Sequence, residues 1–156
     1  MSFLGLDLAS TNYSYYTIPA AFVLTLAPNA YAMILAGRNY DLNQPRRTEE
    51  ICSKDTSMPK ATLQKISRAK AATANGFETL SLYAASVVAA NSSGVVPLSK
   101  LNALTLGYVA SRAAYNFVYV VAQDNKKLAG VRPLVWAVGV FIIMNLFVGA
   151  GGGGKA

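Results

Sequence analysis

The residues of this chain best equipped for chemistry stand inside stretches that are otherwise apolar. Asn75 and Glu78 fall within AATANGFETLSLYAASVVAA, residues 71–90, where Glu78 is the only charge. Three residues apart on a helix, they share one face. Arg112 is the only charge within residues 101–122, and Tyr115, Asn116 and Tyr119 follow it at the i+3, i+4 and i+7 positions. An acid, an amide, a guanidinium and two phenols on matching faces of neighbouring helices suit a polar, zwitterionic ligand held beside an apolar one. Glu78, Arg112 or a tyrosine is then a candidate acid or base. A charge at the centre of a membrane helix costs about 2.5–3.5 kcal/mol on insertion scales. The simplest arrangement therefore pairs Glu78 with Arg112, which lowers the cost of burying either. The same set has a plain structural reading: a buried Glu–Arg pair with an amide locks helices together or fixes an oligomer, and aromatic residues in membrane helices are common packing residues.

The elements that must carry these residues are legible in the composition. Apolar residues make up 53% of the 156 and charged residues 13%, against about 25% charged in soluble domains. That deficit points to lipid as the main solvent and to an all-α membrane fold. A hydrocarbon core of about 30 Å takes about 20 helical residues. Four stretches meet that length, at 18–36, 71–90, 101–122 and 133–150. Together they predict a single domain over residues 1–156, a four-helix transmembrane bundle. Pro19 and Pro133 suit first helical turns, whereas Pro28 falls inside its stretch and predicts a kink or local loosening. A polar loop joins the first two stretches over residues 37–70, and the Gly-rich tail, residues 151–156, predicts a frayed end. Met1 to Tyr16 holds no Lys or Arg. The positive segment of a cleaved signal is thus missing, and the stretch from Ile18 reads as a retained membrane helix.

Charge gives the orientation. Arg38, Arg46, Arg47, Lys54, Lys60, Lys65, Arg68 and Lys70 lie in or beside the first loop, and Lys126, Lys127 and Arg132 in the third, against Lys100 and Lys155 on the other side. The positive-inside rule then puts the large loop in the cytosol and both termini in a lumen or outside. The net charge of +7 is largely this topology signal, with attraction to anionic membrane lipid as a by-product. Nucleic-acid binding is excluded as a leading role, because the basic residues are mixed with acids and flank apolar stretches. Histidine is absent and Cys52 is the sole cysteine, which rules out an internal disulfide and argues against zinc, haem or any other metal centre. Cys52, in a polar stretch, is a reactive thiol or an ordinary reduced cysteine. Two sequons, at Asn12 and Asn91, fall on the lumenal side, Asn91 close to the membrane.

These residues also resemble a known family. Arg68-Ala-Lys-Ala-Ala-Thr-Ala-Asn75-Gly-Phe-Glu78-Thr-Leu-Ser-Leu-Tyr83 is similar to the second-helix signature of the MAPEG family, the membrane-associated proteins in eicosanoid and glutathione metabolism. Arg112-Ala-Ala-Tyr115-Asn-Phe-Val-Tyr119 resembles the third-helix signature, and Arg132-Pro-Leu-Val-Trp136 the opening of the fourth helix. Asn43-Gln-Pro45-Arg46 resembles a first-loop motif of fungal members. The resemblance runs from about Tyr15 to Val148 and is of the microsomal glutathione S-transferase type. It implies a homotrimer of four-helix subunits in the endoplasmic reticulum membrane. It also implies glutathione as co-substrate and a lipophilic small molecule as substrate, attacked or reduced by a transferase or peroxidase. Carried over by position, Asn75 and Glu78 bind the polar groups of glutathione, with Glu78 at the α-amino group. Arg112 supports the bundle core, and Tyr115 and Tyr119 line the tripeptide site. An arginine at the cytosolic end stabilises the thiolate; Arg132, Lys126 and Lys127 are the candidates.

The chain departs from that pattern on the second helix. Where glutathione-using members carry an arginine one turn before the asparagine, this sequence has Ala71, and Thr73 and Ala74 replace further polar or basic residues. Arg68, one turn back, or Arg38, Arg46 or Arg47 are left to compensate. Two other activities stand beside the transferase or peroxidase: a glutathione-independent isomerase or cyclase of a hydrophobic metabolite, for example in secondary metabolism, and a non-catalytic scaffold that presents lipid. The short chain and lack of an internal repeat argue against a transporter.

Overall fold

Five α-helices build the computed structural model, which describes residues 2–3, 6–124 and 130–152. They are α1 (Thr17–Ala36), α2 (Thr48–Lys54), α3 (Lys60–Ser93), α4 (Leu98–Val120) and α5 (Val131–Gly151), preceded by a two-residue antiparallel pairing of β1 (Ser2–Phe3) with β2 (Leu6–Asp7). The helices begin where prolines permit. Pro59 and Pro97 are the N-cap residues of α3 and α4, and Pro19 and Pro133 lie in the first turns of α1 and α5. A missing N–H costs nothing there, because the first-turn N–H groups have no intrahelical acceptor. α1 stops at Gly37 and α3 at Gly94, whose φ values of 51° and 65° a side chain would resist.

The four long helices pack in a ring, α1 on α3, α3 on α5, α5 on α4 and α4 on α1, with α3 and α4 also touching across it. α1 and α3 approach closely at Gly76, where a Cβ would stand 2.8 Å from Thr25 Cγ2. One core cluster holds Tyr83, Val87, Tyr108, Ile143 and Leu146, and a second holds Ala36, Cys52, Ile66, Ala69, Tyr115 and Val120. The outer surface is apolar too: Ile34, Leu134, Phe141 and Val148 are each at least two-thirds exposed. α1 and α5 are long and apolar enough to cross a membrane. α3 and α4 exceed 20 residues as well, at 34 and 23, but their inward faces carry the polar residues and lower their hydropathy.

Three expectations need correction. The segment 37–70 is not a simple loop, since it contains α2 and the first eleven residues of α3. Most of its polar residues lie at the surface, while Thr48, Cys52, Ile66 and Ala69 are buried. Asn39 Nδ2 donates to Asp55 Oδ2 at 2.7 Å, Arg47 and Lys54 pair with Glu50 at 3.0 and 2.6 Å, and Lys70 Nζ donates to the Pro45 and Arg46 carbonyls at 3.3 Å. Pro28 lies inside α1, which runs on through it. A proline removes the donor for the carbonyl four residues back, here Leu24, and Asn116 Nδ2 on α4 donates to it at 2.7 Å. Asn116 thus serves α1 and stands apart from Arg112. The C-terminal helix continues through Gly151, one residue into the glycine tail, while residues 153–156 lie outside the described residues. Finally, the two sequon amides are tied together: Asn12 Nδ2 donates to Asn91 Oδ1 at 2.7 Å, and Asn91 Nδ2 to Ser14 Oγ and the Val87 carbonyl. Neither amide nitrogen is free to carry a glycan without breaking this lashing.

Candidate functional site

Three helices enclose a cavity of about 430 Å³, open at the bundle surface. α3 contributes Ala71, Ala74, Asn75 and Glu78, spaced as one helical face. α4 contributes Tyr115 and Tyr119, one turn apart, and α5 contributes Arg132, Pro133 and Trp136 from its first two turns. The volume lies within the range of about 300–1,000 Å³ usual for small-molecule sites. Asn75, Glu78, Tyr115, Tyr119 and Arg132 are therefore brought together from three segments of sequence. Arg38 and Arg68 do not line the cavity of their own chain. Lys126 and Lys127, the other candidates for thiolate activation, lie outside the described residues.

Glu78 and Arg112 do not form the expected ion pair; the ion pairs resolved are elsewhere, at Glu50. Asn75 stands between them. Its Oδ1 accepts from Arg112 Nη2 at 3.3 Å and its Nδ2 donates to Glu78 Oε2 at 3.5 Å, both at the long end for a hydrogen bond. The amide is thereby oriented, oxygen toward the cation and nitrogen toward the carboxylate. Glu78 is left exposed at the cavity, while Arg112 is only 6% exposed behind its wall. Arg112 Nη1 donates to Thr79 Oγ1 at 3.4 Å, and the guanidinium lies over the Tyr115 ring, 4.5 Å from its centroid, with Tyr108 at 6.0 Å. Gly139 on α5 packs beside it, at a position where a Cβ would be in ordinary contact with Nη1 at 3.6 Å.

Two residues of this network were missed by reading the sequence for charge. The Tyr108 hydroxyl donates to Thr79 Oγ1 at 3.3 Å, and Thr79 donates in turn to the Gly76 carbonyl at 3.2 Å. Tyr108 also stacks on Tyr83 at 3.7 Å, and Tyr83 shares a 2.5 Å hydrogen bond with Thr17 on α1. Helix arithmetic held the signal: Thr79 is one turn after Asn75, and Tyr108 one turn before Arg112. Arg132 lies over the Tyr119 ring at 4.6 Å, and Tyr115 meets Tyr119 edge-on at 5.6 Å. Cys52 is on the far side of Tyr115 in the second core cluster, 1% exposed. Burial pushes its thiol above the usual range, helped by the nearby Asp55, so it is a packing residue and not a nucleophile.

A helical bundle with a lipid-like exterior and a polar cavity walled by three of its helices defines a membrane protein built around a small-molecule site. The sequence matches the family model of the MAPEG family over residues 15–152, and the chain belongs to that family. It is accordingly an integral membrane protein, of a family that includes glutathione transferases, peroxidases and other membrane enzymes and generally uses glutathione. No curated protein and no solved structure matches the chain.

Proposed function

We propose that this protein is a membrane enzyme that uses glutathione to conjugate or reduce a lipophilic electrophile. The observation that carries the reading is the composition of this cavity's wall: Glu78, Arg132, Asn75 and the tyrosines line it, and Arg112 lies behind. Glutathione carries an ammonium, two carboxylates and a thiol. Glu78 suits the ammonium, Asn75 the adjoining polar groups, and a guanidinium either a carboxylate or the sulfur. A model thiol has a pKa of about 8.5, so the sulfur is mostly protonated near neutral pH. A cation at Arg132 favours the thiolate, which is the nucleophile. The thiolate then forms a sulfur–carbon bond as the electrophile's leaving group departs with its electron pair. In the peroxidase version, two glutathione thiols give a disulfide while the hydroperoxide becomes an alcohol and water. The surrounding lipid delivers the apolar substrate, and the protein's part is activation and positioning.

The reading extends to the assembly. α1, α3, α4 and α5 cross the membrane, with 37–70 cytosolic, the termini lumenal, and the endoplasmic reticulum as the host membrane. The cavity faces outward on α3 and α5 through Ala71, Ala74, Glu78 and Pro133, all exposed. A homotrimer that closes this side completes the site. Arg38 and Arg68, outside the cavity of their own chain, contribute only across such a contact.

A second reading is favoured by one feature of the cavity. Ala71 and Ala74 put apolar surface where glutathione-using relatives carry cations, and such charge-assisted contacts are worth about 1.5–3 kcal/mol each. A glutathione-independent isomerase or cyclase on the same frame would show that pattern. Assaying purified protein with a chlorodinitrobenzene-type electrophile and with a lipid hydroperoxide separates the two. Turnover that requires glutathione and falls at least tenfold in Arg132→Gln supports the first reading. Absence of turnover with either substrate at millimolar glutathione removes it and leaves the second.

A further inference from the structure

The cavity's two cations are held in an uncommon way. Arg112 lies over the face of Tyr115, Tyr115 meets Tyr119 edge-on, and Arg132 lies over the face of Tyr119, with separations of 4.5, 5.6 and 4.6 Å. The four side chains form a ladder from the buried core to the cavity mouth. Neither guanidinium has a carboxylate within ion-pair distance among the described residues. The carboxylate of the same cavity, Glu78, meets the Asn75 amide instead. The contrast is Arg47, whose charge is taken up by Glu50 at 3.0 Å.

We infer that the ring face of Tyr119, and not its hydroxyl, positions Arg132 in the cavity, fixing the guanidinium while leaving its charge unneutralised for the ligand. A ring quadrupole attracts a cation through the face and brings no opposing formal charge. A carboxylate partner would orient the guanidinium equally well but cancel its field at the sulfur. Arg132 needs such a holder. It stands in the first turn of α5. Tyr119 is itself braced by Tyr115, which is 4% exposed. Tyr119 is therefore a positioning residue acting through Arg132. The consequence for the bound thiol rests on the glutathione reading; the holding of Arg132 does not.

The chain carries its own reporter. Trp136 is its only tryptophan, lies one turn beyond Arg132 on α5 and lines the same cavity. The experiment compares Tyr119→Phe, Tyr119→Leu and Arg132→Gln with the parent protein in detergent. It reads Trp136 emission without ligand, and the pH titration of bound glutathione by the ultraviolet absorbance of its thiolate. Tyr119→Phe keeps the ring. It loses what the hydroxyl gives the ligand and binds glutathione more weakly, but Trp136 emission and the thiol titration stay in place. Tyr119→Leu shifts Trp136 emission in the same direction as Arg132→Gln, and lowers the thiolate fraction at neutral pH roughly tenfold. Leucine behaving as the parent in both readouts overturns the inference, as does phenylalanine behaving as leucine, which assigns the role to the hydroxyl. If the parent protein binds no glutathione, the functional reading fails, and Trp136 emission alone decides whether the ring holds Arg132.

Discussion

Glu78, Asn75 and Arg112 show how an amide does the work expected of an ion pair. The sequence identifies three polar side chains on facing helical stripes, but helix periodicity gives no rotation of one helix against the next. It therefore could not tell that Asn75 faces Arg112 while Glu78 points into the cavity. A carboxylate left at the cavity wall is available to a ligand, whereas a neutralised one is not. The replacement of a basic residue by Ala71 was visible in the sequence, and its position on the cavity wall was not. Ala71→Arg adds a cation to that wall, where the exposed alanine leaves room. If glutathione is the ligand, the variant binds it about tenfold tighter or more, from a charge-assisted contact of about 1.5–3 kcal/mol, as read by calorimetry; unchanged or weaker binding counts against the placement of a glutathione carboxylate there. At Cys52 the sign of the shift is clear. Burial disfavours the thiolate and raises the folded pKa, so the thiolate fraction at neutral pH is smaller in the folded than in the unfolded chain. Maleimide labelling of the native protein at pH 7 is then much slower than labelling after denaturation, and it accelerates as pH rises. Equal rates in the two states contradict the buried placement.

At the scale of elements, the helices were legible because apolar runs of spanning length and prolines at helix starts leave few alternatives. The extension of α3 back to Lys60 was not, because residues 60–70 are polar on most faces and read as loop. At 34 residues α3 is roughly 50 Å long, well beyond the hydrocarbon thickness of about 30 Å. In the proposed topology, a helix of that length would carry the basic segment and α2 beyond the hydrocarbon core. The donor that serves the carbonyl freed by Pro28 was not legible, since it comes from 92 residues away. Pro28 and Asn116 should behave as a coupled pair. Asn116→Leu leaves the Leu24 carbonyl unsatisfied and destabilises the protein by about 1–2 kcal/mol. In the Pro28→Ala background, where the restored N–H reaches that carbonyl, the same change costs much less. Additive losses in thermal or denaturant unfolding would show that the Asn116–Leu24 bond does not compensate the proline.

For the whole molecule, the charge distribution and the packing make one statement. The basic residues gather on and beside 37–70, at the end of the bundle where the cavity opens between Ala71 and Arg132. The opposite end is closed by the lashing of the N-terminal segment: Asn102 accepts from the Tyr13 N–H and donates to the Leu8 and Thr11 carbonyls, and Asn12 meets Asn91. Under the proposed topology, glutathione as co-substrate would reach the cavity from the basic side. In sealed microsomes, a membrane-impermeant thiol reagent applied from the cytosol should label Ser57→Cys, which is exposed, and spare Ser10→Cys, also exposed, until the membrane is opened. The reverse pattern inverts the topology and puts the cavity on the wrong side for cytosolic glutathione.

The central claim is that the cavity between α3, α4 and α5 binds glutathione through Glu78 and the residues around it, and calorimetry on the detergent-purified protein tests it most directly. The account predicts saturable binding at or below millimolar glutathione, and at least tenfold weaker binding in Glu78→Gln at unchanged thermal stability, because Glu78 is exposed and its hydrogen bond to Asn75 is long. No binding at millimolar glutathione, or binding indifferent to Glu78→Gln, would contradict it.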